Sequence, residues 1–275
     1  YDKIYYSSNN CLFDSENLKL QKKNIQYFFD KLHYNNFADH KTLRDTYLPS
    51  KLCRRDIIRN AFNKNFLTKK FVILDIGCGV GANALYLKDK YSKYIGVDIS
   101  SEMIRIAKRF CKDLKNVEFH ISNIKDFKIP KKLKIDLVLK DGALHHMTEI
   151  TKIFGILKRK IDKGTIFIAR EPQNANKLFQ VARKLRMKID KSYSSNQIFF
   201  SEPQLKDILN KSGMKNIKFC YSGFITPIIA QVVMKPLFIF IPISFIFLFF
   251  ERILEKILIG PLKKLSWNIV VYAKF

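Results

Sequence analysis

Glycine, proline and acidic residues are scarce in this sequence. Its 275 residues include 10 Gly, 8 Pro and 24 Asp+Glu, against 50 Lys+Arg. The scarcity of glycine and proline argues against a turn-rich all-β fold and favours long regular elements. Hydrophobic residues make up 47% and charged residues 27%, which excludes a disordered or collagen-like chain.

Cysteine is also sparse, and the cysteines are widely spread along the chain. No CxxC pair occurs, and no Cys/His cluster has the spacing of a zinc site. Five positions carry the residue, namely Cys11, Cys53, Cys78, Cys111 and Cys220. We therefore expect a reducing compartment and no structural metal. No basic-then-apolar secretory leader is visible, which favours a cytoplasmic protein.

The net charge of +26 has two interpretations. One is a composition bias on a solvated surface. The other is an electrostatic field that attracts anionic lipid head groups or nucleic acid. Most of the cations are lysines, whereas arginine is the residue that makes bidentate contacts with phosphate and guanine. The lysine excess therefore makes nucleic acid the less suitable partner.

The chain has two regions of different sequence pattern. Residues 1–66 are polar and aromatic with loose helical periodicity, which predicts a helical N-terminal cap. In 67–275, short apolar runs alternate with helical patterns, and this alternation predicts an α/β fold with a parallel sheet covered on both faces. The strands are predicted at 71–76, 94–98, 117–121, 135–140, 165–169, 217–221 and 267–272. The helices are predicted at 82–88, from 100 onward, at 150–161 and at 202–211.

A glycine-rich turn follows the first predicted strand. It reads Asp75-Ile-Gly77-Cys-Gly79-Val-Gly81, and glycines there let a ligand approach the backbone N–H groups. Asp98 ends the next strand, where a carboxylate can accept both hydroxyls of a ribose. The pattern also satisfies the loose G-x-G-x-x-G/A form of dinucleotide sites. Asp75 favours a ligand with a cationic end over a pyrophosphate, because it lies directly before the turn.

Three stretches resemble the class I S-adenosylmethionine-dependent methyltransferases. They read VILDIGCGVG at 72–81, YIGVDISSEM at 94–103 and DLVLKDGALHHM at 136–147, and the closing strand at 267–275 also fits. The resemblance implies a Rossmann-like three-layer sandwich. Its mostly parallel seven-stranded sheet would have an antiparallel last strand, and its cofactor would be S-adenosylmethionine.

The same resemblance assigns cofactor contacts. The backbone of Gly77–Gly81 would hold the methionine part, Asp98 would bind the ribose and Ile99 would pack on the adenine. Asn123 stands where the family usually has an acidic residue that bonds the adenine amine, and an amide oxygen can accept that bond. Lys140 stands where the family often has a small or polar residue. The predicted cofactor-binding residues are Asp75, Gly77, Cys78, Gly79, Gly81, Asp98, Ile99, Met103, Asn123, Ile124 and Lys140.

The candidate catalytic residues are Asp141, His145 and His146, which follow the fourth predicted strand. Methyl transfer from a sulfonium needs alignment of the reacting atoms, and it needs a base only when the nucleophile carries a proton of high pKa. One histidine can be that general base, or both can merely start a helix and fix its loop. Glu171, after the fifth strand, is expected to shape the pocket.

An apolar insertion, 225–266, lies between the last two predicted strands. Within 224–250 Lys235 is the only charge. The longest uncharged run is the 15 residues 236–250, which is shorter than the ~20 residues of a bilayer-spanning helix, and Pro242 interrupts it. If both flanking predicted strands belong to one sheet, the insertion has to return to the side from which it entered or lie flat.

An amphipathic pattern follows the apolar run. Four apolar residues within 251–259 share one helical face, and Lys263, Lys264 and Trp267 then supply cations and an indole where head groups would lie. The sequence therefore predicts a helical hairpin that dips into one leaflet of a membrane. A buried lid over the substrate pocket and a dimer interface are the alternatives.

These features together predict a membrane-associated methyltransferase that acts on an O, N or C nucleophile of a lipid-like or apolar small molecule. An RNA or protein methyltransferase that uses the basic surface, and an inactive nucleotide-binding scaffold, are the alternatives. Nucleobase methylation is disfavoured, because residues 140–143 lack the Asn/Asp-Pro-Pro-aromatic motif that this superfamily uses for adenine and cytosine amines. Nothing in the sequence specifies an oligomeric state.

Overall fold

The computed structural model describes residues 52–53, 70–130, 133–147, 149–174, 179–181, 199–230, 236–258 and 260–275. These residues fold around a seven-stranded sheet. The helical cap predicted for 1–66 lies outside the described residues, apart from Leu52 and Cys53, which are helical.

The sheet has the order β3-β2-β1-β4-β5-β7-β6. Strands β1 to β5 are parallel, and β7 runs antiparallel between β5 and β6. The carboxyl ends of β1 to β6 therefore lie on one edge of the sheet, together with the start of β7. The strands are β1 Phe71–Ile76, β2 Tyr91–Asp98, β3 Val117–Ile121, β4 Leu137–Asp141, β5 Ile166–Pro172, β6 Lys215–Ser222 and β7 Asn268–Lys274.

Six α-helices and two short 3-10 helices have both of their ends within the described part of the chain. Ser100 and Ser201 cap two of them, because each side chain accepts a hydrogen bond from the backbone N–H three residues later. The α-helices are α1 Ala82–Tyr86, α2 Ser101–Phe110, α3 Ile150–Lys158, α4 Glu202–Lys211, α5 Thr226–Ala230 and α6 Leu237–Ile257. The 3-10 helices are Leu144–His146 and Gly260–Leu265.

The core consists of two apolar layers, one on each face of the sheet. Successive residues of β4 show the division, because Val138 packs with the layer that contains Phe154 of α3, whereas Leu139 packs with the layer that contains Ile104 of α2. This is the two-sided cover that the alternating pattern predicts. The predicted α/β fold with an antiparallel last strand is confirmed.

The element bounds agree closely with those predicted from the sequence. Strands β1 and β3 and helix α4 have the predicted bounds. Strand β2 begins three residues earlier than predicted, at Tyr91. The first three residues of the strand include the exposed Ser92 and the half-exposed Lys93, so the apolar pattern does not extend to this end of β2.

The insertion departs from the prediction at Pro242. A single helix, α6, continues through this proline and through Glu251, so the predicted interruption at Pro242 is wrong, and the apolar run and the start of the amphipathic pattern belong to one helix. Proline removes one helical hydrogen bond and crowds the preceding turn, which is a local cost that packing can offset. Here Ser244 and Glu251, two turns apart on one face, are both fully buried against the rest of the protein.

Candidate active site

The glycine turn between β1 and α1 has a backbone that other residues rarely adopt. Gly77, Gly79 and Gly81 have φ angles of 71°, 55° and 76°, all in the left-handed region. The N–H groups of Gly77 and Cys78 donate to the carbonyl of Val97, over 2.7 and 3.2 Å. The turn is therefore bent sharply and fastened to the end of β2.

Asp98 lies beside this turn and is held in place by backbone donors. Its Oδ2 accepts from the N–H of Gly79 over 2.9 Å, and its Oδ1 accepts from the N–H of Ser100 over 3.0 Å. The side chain is only partly buried, and a carboxylate has further lone pairs for ligand hydroxyls. The next residue, Ile99, leaves 47% of its surface exposed. A half-buried acid and an exposed apolar face thus occur side by side, as the ribose and adenine of an adenosyl group require.

Asp75 is completely buried at the end of β1. Its Oδ2 accepts from Asn83 Nδ2 over 3.0 Å and from the hydroxyl of Tyr94. Burial raises the pKa of Asp75 to about 6, although the hydrogen bonds from Tyr94 and Asn83 oppose that rise. Its Oδ1 is buried with no hydrogen-bond partner among the described residues. An unpaired carboxylate oxygen at this point suits a ligand with a cationic end.

Lys140 also faces this turn. Its side chain is buried within β4, and its Nζ donates to the carbonyl of Ile76 over 2.8 Å. A Cβ added to Gly77 would lie only 2.8 Å from that Nζ. The residue predicted from the resemblance therefore places an ammonium group at the base of the glycine turn.

The other predicted cofactor residues have different surroundings. The Cys78 side chain is buried, and burial raises the pKa of its thiol. Met103 and Ile124 contribute their side chains to the two core layers. Asn123 is exposed after β3, and its Oδ1 accepts from the N–H of Lys125 over 3.0 Å. Its side chain is thereby oriented at the same edge of the sheet as Asp98.

His145 and Glu171 form a buried pair at the carboxyl ends of β4 and β5. The Nδ1 of His145 lies 2.6 Å from Oε2 of Glu171. The other oxygen, Oε1, accepts from the N–H groups of Ala143 and Leu144, over 2.9 and 2.7 Å. A carboxylate that already accepts two N–H bonds acts as an acceptor toward the ring, so Nδ1 is the donor, and in the neutral ring the lone pair is on Nε2.

The two remaining catalytic candidates are arranged differently. His146 is partly exposed, and its ring centroid lies 3.9 Å from that of His145. Asp141 makes an ion pair with Arg170, whose Nε lies 2.5 Å from Oδ1. The Arg170 Nη1 also donates to Asn268 Oδ1 over 3.4 Å, which joins the ends of β4, β5 and β7. Arg170 gave no signal in the sequence, because a lone cation in a strand usually indicates an exposed position.

Glu251 is the second residue that the sequence pattern did not identify. It is fully buried, and its two oxygens accept hydrogen bonds from the backbone N–H groups of residues 223–226 and from the Thr226 hydroxyl, over 2.8 to 3.1 Å. These residues directly follow β6. The carboxylate therefore fastens α6 to the same edge of the sheet that carries Asp98 and His145. The available signal in the sequence was the acidic residue that directly follows a long apolar run. A carboxylate in such a place needs hydrogen-bond partners if it is buried.

Metal ligands do not cluster within the described ranges. No group of three or more His, Cys, Asp or Glu side chains comes together there in a way that could hold an ion.

Sequence comparison connects this site with known proteins. A family profile described as a methyltransferase domain matches residues 67–213, more than half of the chain. The malonyl-[acyl-carrier protein] O-methyltransferase 1 of Ilyobacter polytropus is 25% identical over 146 residues, which are 52% of this chain and 53% of that protein. The matched segments span 38% to 64% of the lengths of the first curated relatives.

Structural comparison finds the same fold in methyltransferases. A Thermotoga maritima S-adenosylmethionine-dependent methyltransferase, described as a possible histamine N-methyltransferase, is 18% identical with a TM-score of 0.58, over 88% of this chain and 99% of its own. The plantazolicin methyltransferase BpumL, solved with S-adenosylhomocysteine, is 16% identical with a TM-score of 0.56, over 94% of this chain and 96% of its own. At such identities these structures establish the fold alone.

Proposed function

This chain belongs to the S-adenosylmethionine-dependent methyltransferases, and on that basis we propose that it methylates an O, N or C nucleophile of an apolar, lipid-like small molecule at a membrane surface. The observation that carries the proposal is the position of α6. This exposed apolar helix is fastened to the edge of the sheet at which the candidate active site opens.

The residues of the glycine turn fit the cofactor. Asp98 and Ile99 would receive the ribose and the adenine, and the unpaired Asp75 Oδ1 would lie toward the cationic end. When bound, the cofactor supplies a methyl group that is attached to a sulfonium sulfur. The neutral thioether that forms on transfer is an excellent leaving group. The protein then has to align the acceptor and exclude water, and such positioning can contribute about 7–11 kcal/mol in favourable cases.

We assign His145 as the general base for an acceptor that carries a proton. Glu171 holds its Nδ1–H, so the free lone pair is on Nε2. The backbone hydrogen bonds from Ala143 and Leu144 fix the Glu171 carboxylate. Ala143 also lies close to the glycine turn, because a Cβ added to Gly77 would be 3.2 Å from the Cβ of Ala143. General-base catalysis of this kind contributes typically about 10²–10⁴ in rate.

Helix α6 has the character of a membrane-binding element. It is long and apolar enough, by length and composition, to cross a bilayer, and little of it is buried in the protein. Phe238, Phe245 and Phe249 expose 77%, 57% and 63% of their surfaces. The core helix of a water-soluble protein would bury these side chains, so their exposure favours a lipid contact.

The attachment of α6 argues for a helix that lies in one leaflet. Glu251 in its last third is hydrogen-bonded to the residues that directly follow β6, and the chain returns to β7 of the same sheet. One complete crossing would place β6 and β7 on opposite sides of the bilayer, which the sheet forbids. The carboxyl edge of the sheet would then face the membrane, and an apolar acceptor would reach His145 directly from the lipid.

The membrane part of the proposal is tested by flotation with vesicles of phosphatidylcholine and phosphatidylserine. The wild-type protein should float at low and at high salt, because apolar insertion is not screened. The double variant Phe245→Glu/Phe249→Glu should lose about 90% of flotation at high salt, since charges do not enter the acyl region. Loss of wild-type binding in high salt alone would overturn the proposal in favour of electrostatic adsorption.

A matched control separates apolar contact from net charge. Lys115 and Lys163 are exposed and lie away from α6, at the amino ends of β3 and β5. The double variant Lys115→Glu/Lys163→Glu lowers the net charge by more than the phenylalanine variant does. It should keep its flotation at high salt.

The acceptor class is tested with radiolabelled S-adenosylmethionine and a total lipid extract. Label should enter the organic phase, and the His145→Gln variant should reduce it. Label that enters RNA or protein fractions but no lipid would contradict a lipid-like acceptor.

A further inference from the structure

Lys140 is a buried cation in a site that must accept a cationic cofactor. Its Nζ is bonded to the carbonyl of Ile76 at the end of β1 and lies within 2.8 Å of the position that a Gly77 Cβ would occupy. The ammonium group therefore occupies space directly beside the backbone to which the methionine part of the cofactor is assigned.

Carboxylates surround Lys140 from the neighbouring strands. The carboxylates that act on it are Glu171 from β5, Asp98 from β2 and Asp75 from β1, and the Cys78 thiol, whose raised pKa keeps it neutral, lies in the turn beside it. Burial lowers the pKa of Lys140 to about 8, and the nearby acids oppose this effect. Near neutral pH the lysine is therefore protonated, and its charge can change at slightly higher pH or when another cation arrives.

The methyl donor and its demethylated product differ in one respect that matters here. They share the adenosine, the α-carboxylate and the α-amino group, but the donor carries an additional positive charge on sulfur. The interactions of a neighbouring ammonium group with the shared parts are similar for the two ligands, so the difference between them is its repulsion of the donor's sulfonium. It therefore changes the ratio of the two affinities.

We propose that the Lys140 ammonium selects between donor and product by charge, and that its proton is released more readily when the donor binds than when the product binds. The proposal rests on the assignment of the glycine turn to the cofactor. Repulsion of the sulfonium raises the energy of the bound donor, and it is relieved when methyl transfer leaves the sulfur neutral. Protonated Lys140 thus promotes the chemical step and favours the product over the donor, whereas neutral Lys140 does not disfavour the donor.

The test is isothermal titration calorimetry of the full chain with S-adenosylmethionine and with S-adenosylhomocysteine. Titrations at about pH 7 and about pH 9, in buffers of different ionisation enthalpy, give both affinities and the protons released. In the wild-type protein the ratio of donor Kd to product Kd should fall by about tenfold between the two pH values. Near pH 8, donor binding should release more protons than product binding.

Three variants isolate the lysine. Lys140→Met keeps the length of the side chain without its charge, and it should lose the tenfold change and hold the low ratio at both pH values. Lys140→Arg stays charged and should hold the high ratio at about pH 9. Lys163→Met removes an exposed lysine at the amino end of β5 and should behave as wild type. The ligand α-amino group titrates in the same range, but it contributes equally to every variant.

The outcomes separate the two levels of inference. If neither ligand binds a folded wild-type sample, the cofactor assignment itself fails. If both ligands bind and Lys140→Met shows the wild-type change in ratio, the role of Lys140 is overturned. If Lys140→Met does not fold, the wild-type protein and Lys140→Arg decide, because a wild-type ratio that is constant between the two pH values contradicts the proposal.

Discussion

The Nδ1 atom of His145 lies 2.6 Å from Oε2 of Glu171, and the second oxygen of that carboxylate is occupied by two backbone N–H groups. Both side chains are buried. The geometry determines which ring nitrogen can accept a proton, because the carboxylate holds the other nitrogen as a donor. We therefore assign Glu171 a positioning role, which its place near the end of β5 alone did not indicate.

Replacement of Glu171 by glutamine tests this relationship. The amide would donate to Nδ1 and shift the proton of the ring to Nε2, so we expect kcat to fall about 10²–10⁴-fold with a proton-bearing acceptor. The affinity for S-adenosylhomocysteine should change little. The ¹⁵N chemical shifts of the His145 ring report the tautomer directly. A variant with the wild-type tautomer and the same loss of activity would show that Glu171 acts only on the loop.

Replacement of Asp98 by asparagine should weaken cofactor binding. The carboxylate aligns the turn through Gly79 and is assigned to the ribose hydroxyls. Loss of a charged acceptor for two hydroxyls costs about 1.5–3 kcal/mol, so the Kd for S-adenosylhomocysteine should rise by at least about tenfold in calorimetry. Asp113→Asn, at an exposed residue after α2, is the matched control. Equal affinities in the two variants would remove the ribose assignment.

Asp75 should make the stability of the ligand-free protein depend on pH. Its pKa is about 6 in the folded protein against an ordinary value of 3.8. Between these values the folded state binds more protons than the unfolded state, so this contribution to stability is present below about pH 4 and is lost as the pH rises through about 6.

The variant Asp75→Asn should remove this dependence. At pH 8 we expect it to be more stable than wild type by about 2 kcal/mol, because it no longer buries a charge. Below pH 4 the advantage should disappear, and urea unfolding at several pH values measures both. The same variant should bind S-adenosylmethionine more weakly at pH 8. A variant that is less stable than wild type at pH 8 would mean that the carboxylate stabilises the fold as an ion.

Replacement of Glu251 by glutamine should loosen α6. The amide would direct an NH2 group at backbone donors that now point to a carboxylate, so we expect the free energy of unfolding to fall by about 3 kcal/mol. Glu102→Gln makes the same change in an exposed pair with Arg105 and should cost at most about 1 kcal/mol. Circular dichroism during urea unfolding compares the two. Equal losses would show that Glu251 does not fasten the helix.

The fold could be predicted because its signals are local. Alternation of apolar runs and helical patterns located the strands, and β1 and α4 have the predicted bounds. The glycine turn was recognisable because left-handed backbone at Gly77 and Gly81 requires glycine. Such features depend on neighbouring residues and little on the rest of the chain.

The site was less predictable because its important contacts join distant segments. Lys140 reaches Ile76 across 64 positions, and Glu251 reaches Thr226 across 25. The sequence pattern placed Pro242 at a break, but burial of Ser244 and Glu251 on one face holds the helix together. The hydrophobic periodicity of the sequence does not indicate which buried charged side chain forms a hydrogen bond with which distant backbone group.

The two ends of the insertion are joined by a short backbone bond, from the N–H of Trp267 to the carbonyl of Gly223 over 2.6 Å. The chain therefore leaves the sheet after β6 and rejoins it before β7 at one point. The free-energy cost of closing a loop between two fixed ends grows only slowly with the length of the loop. The length of the insertion can therefore change with little effect on the stability of the sheet. Insertions of different length at this point would therefore leave the arrangement of Asp98 and His145 at the edge of the sheet unchanged.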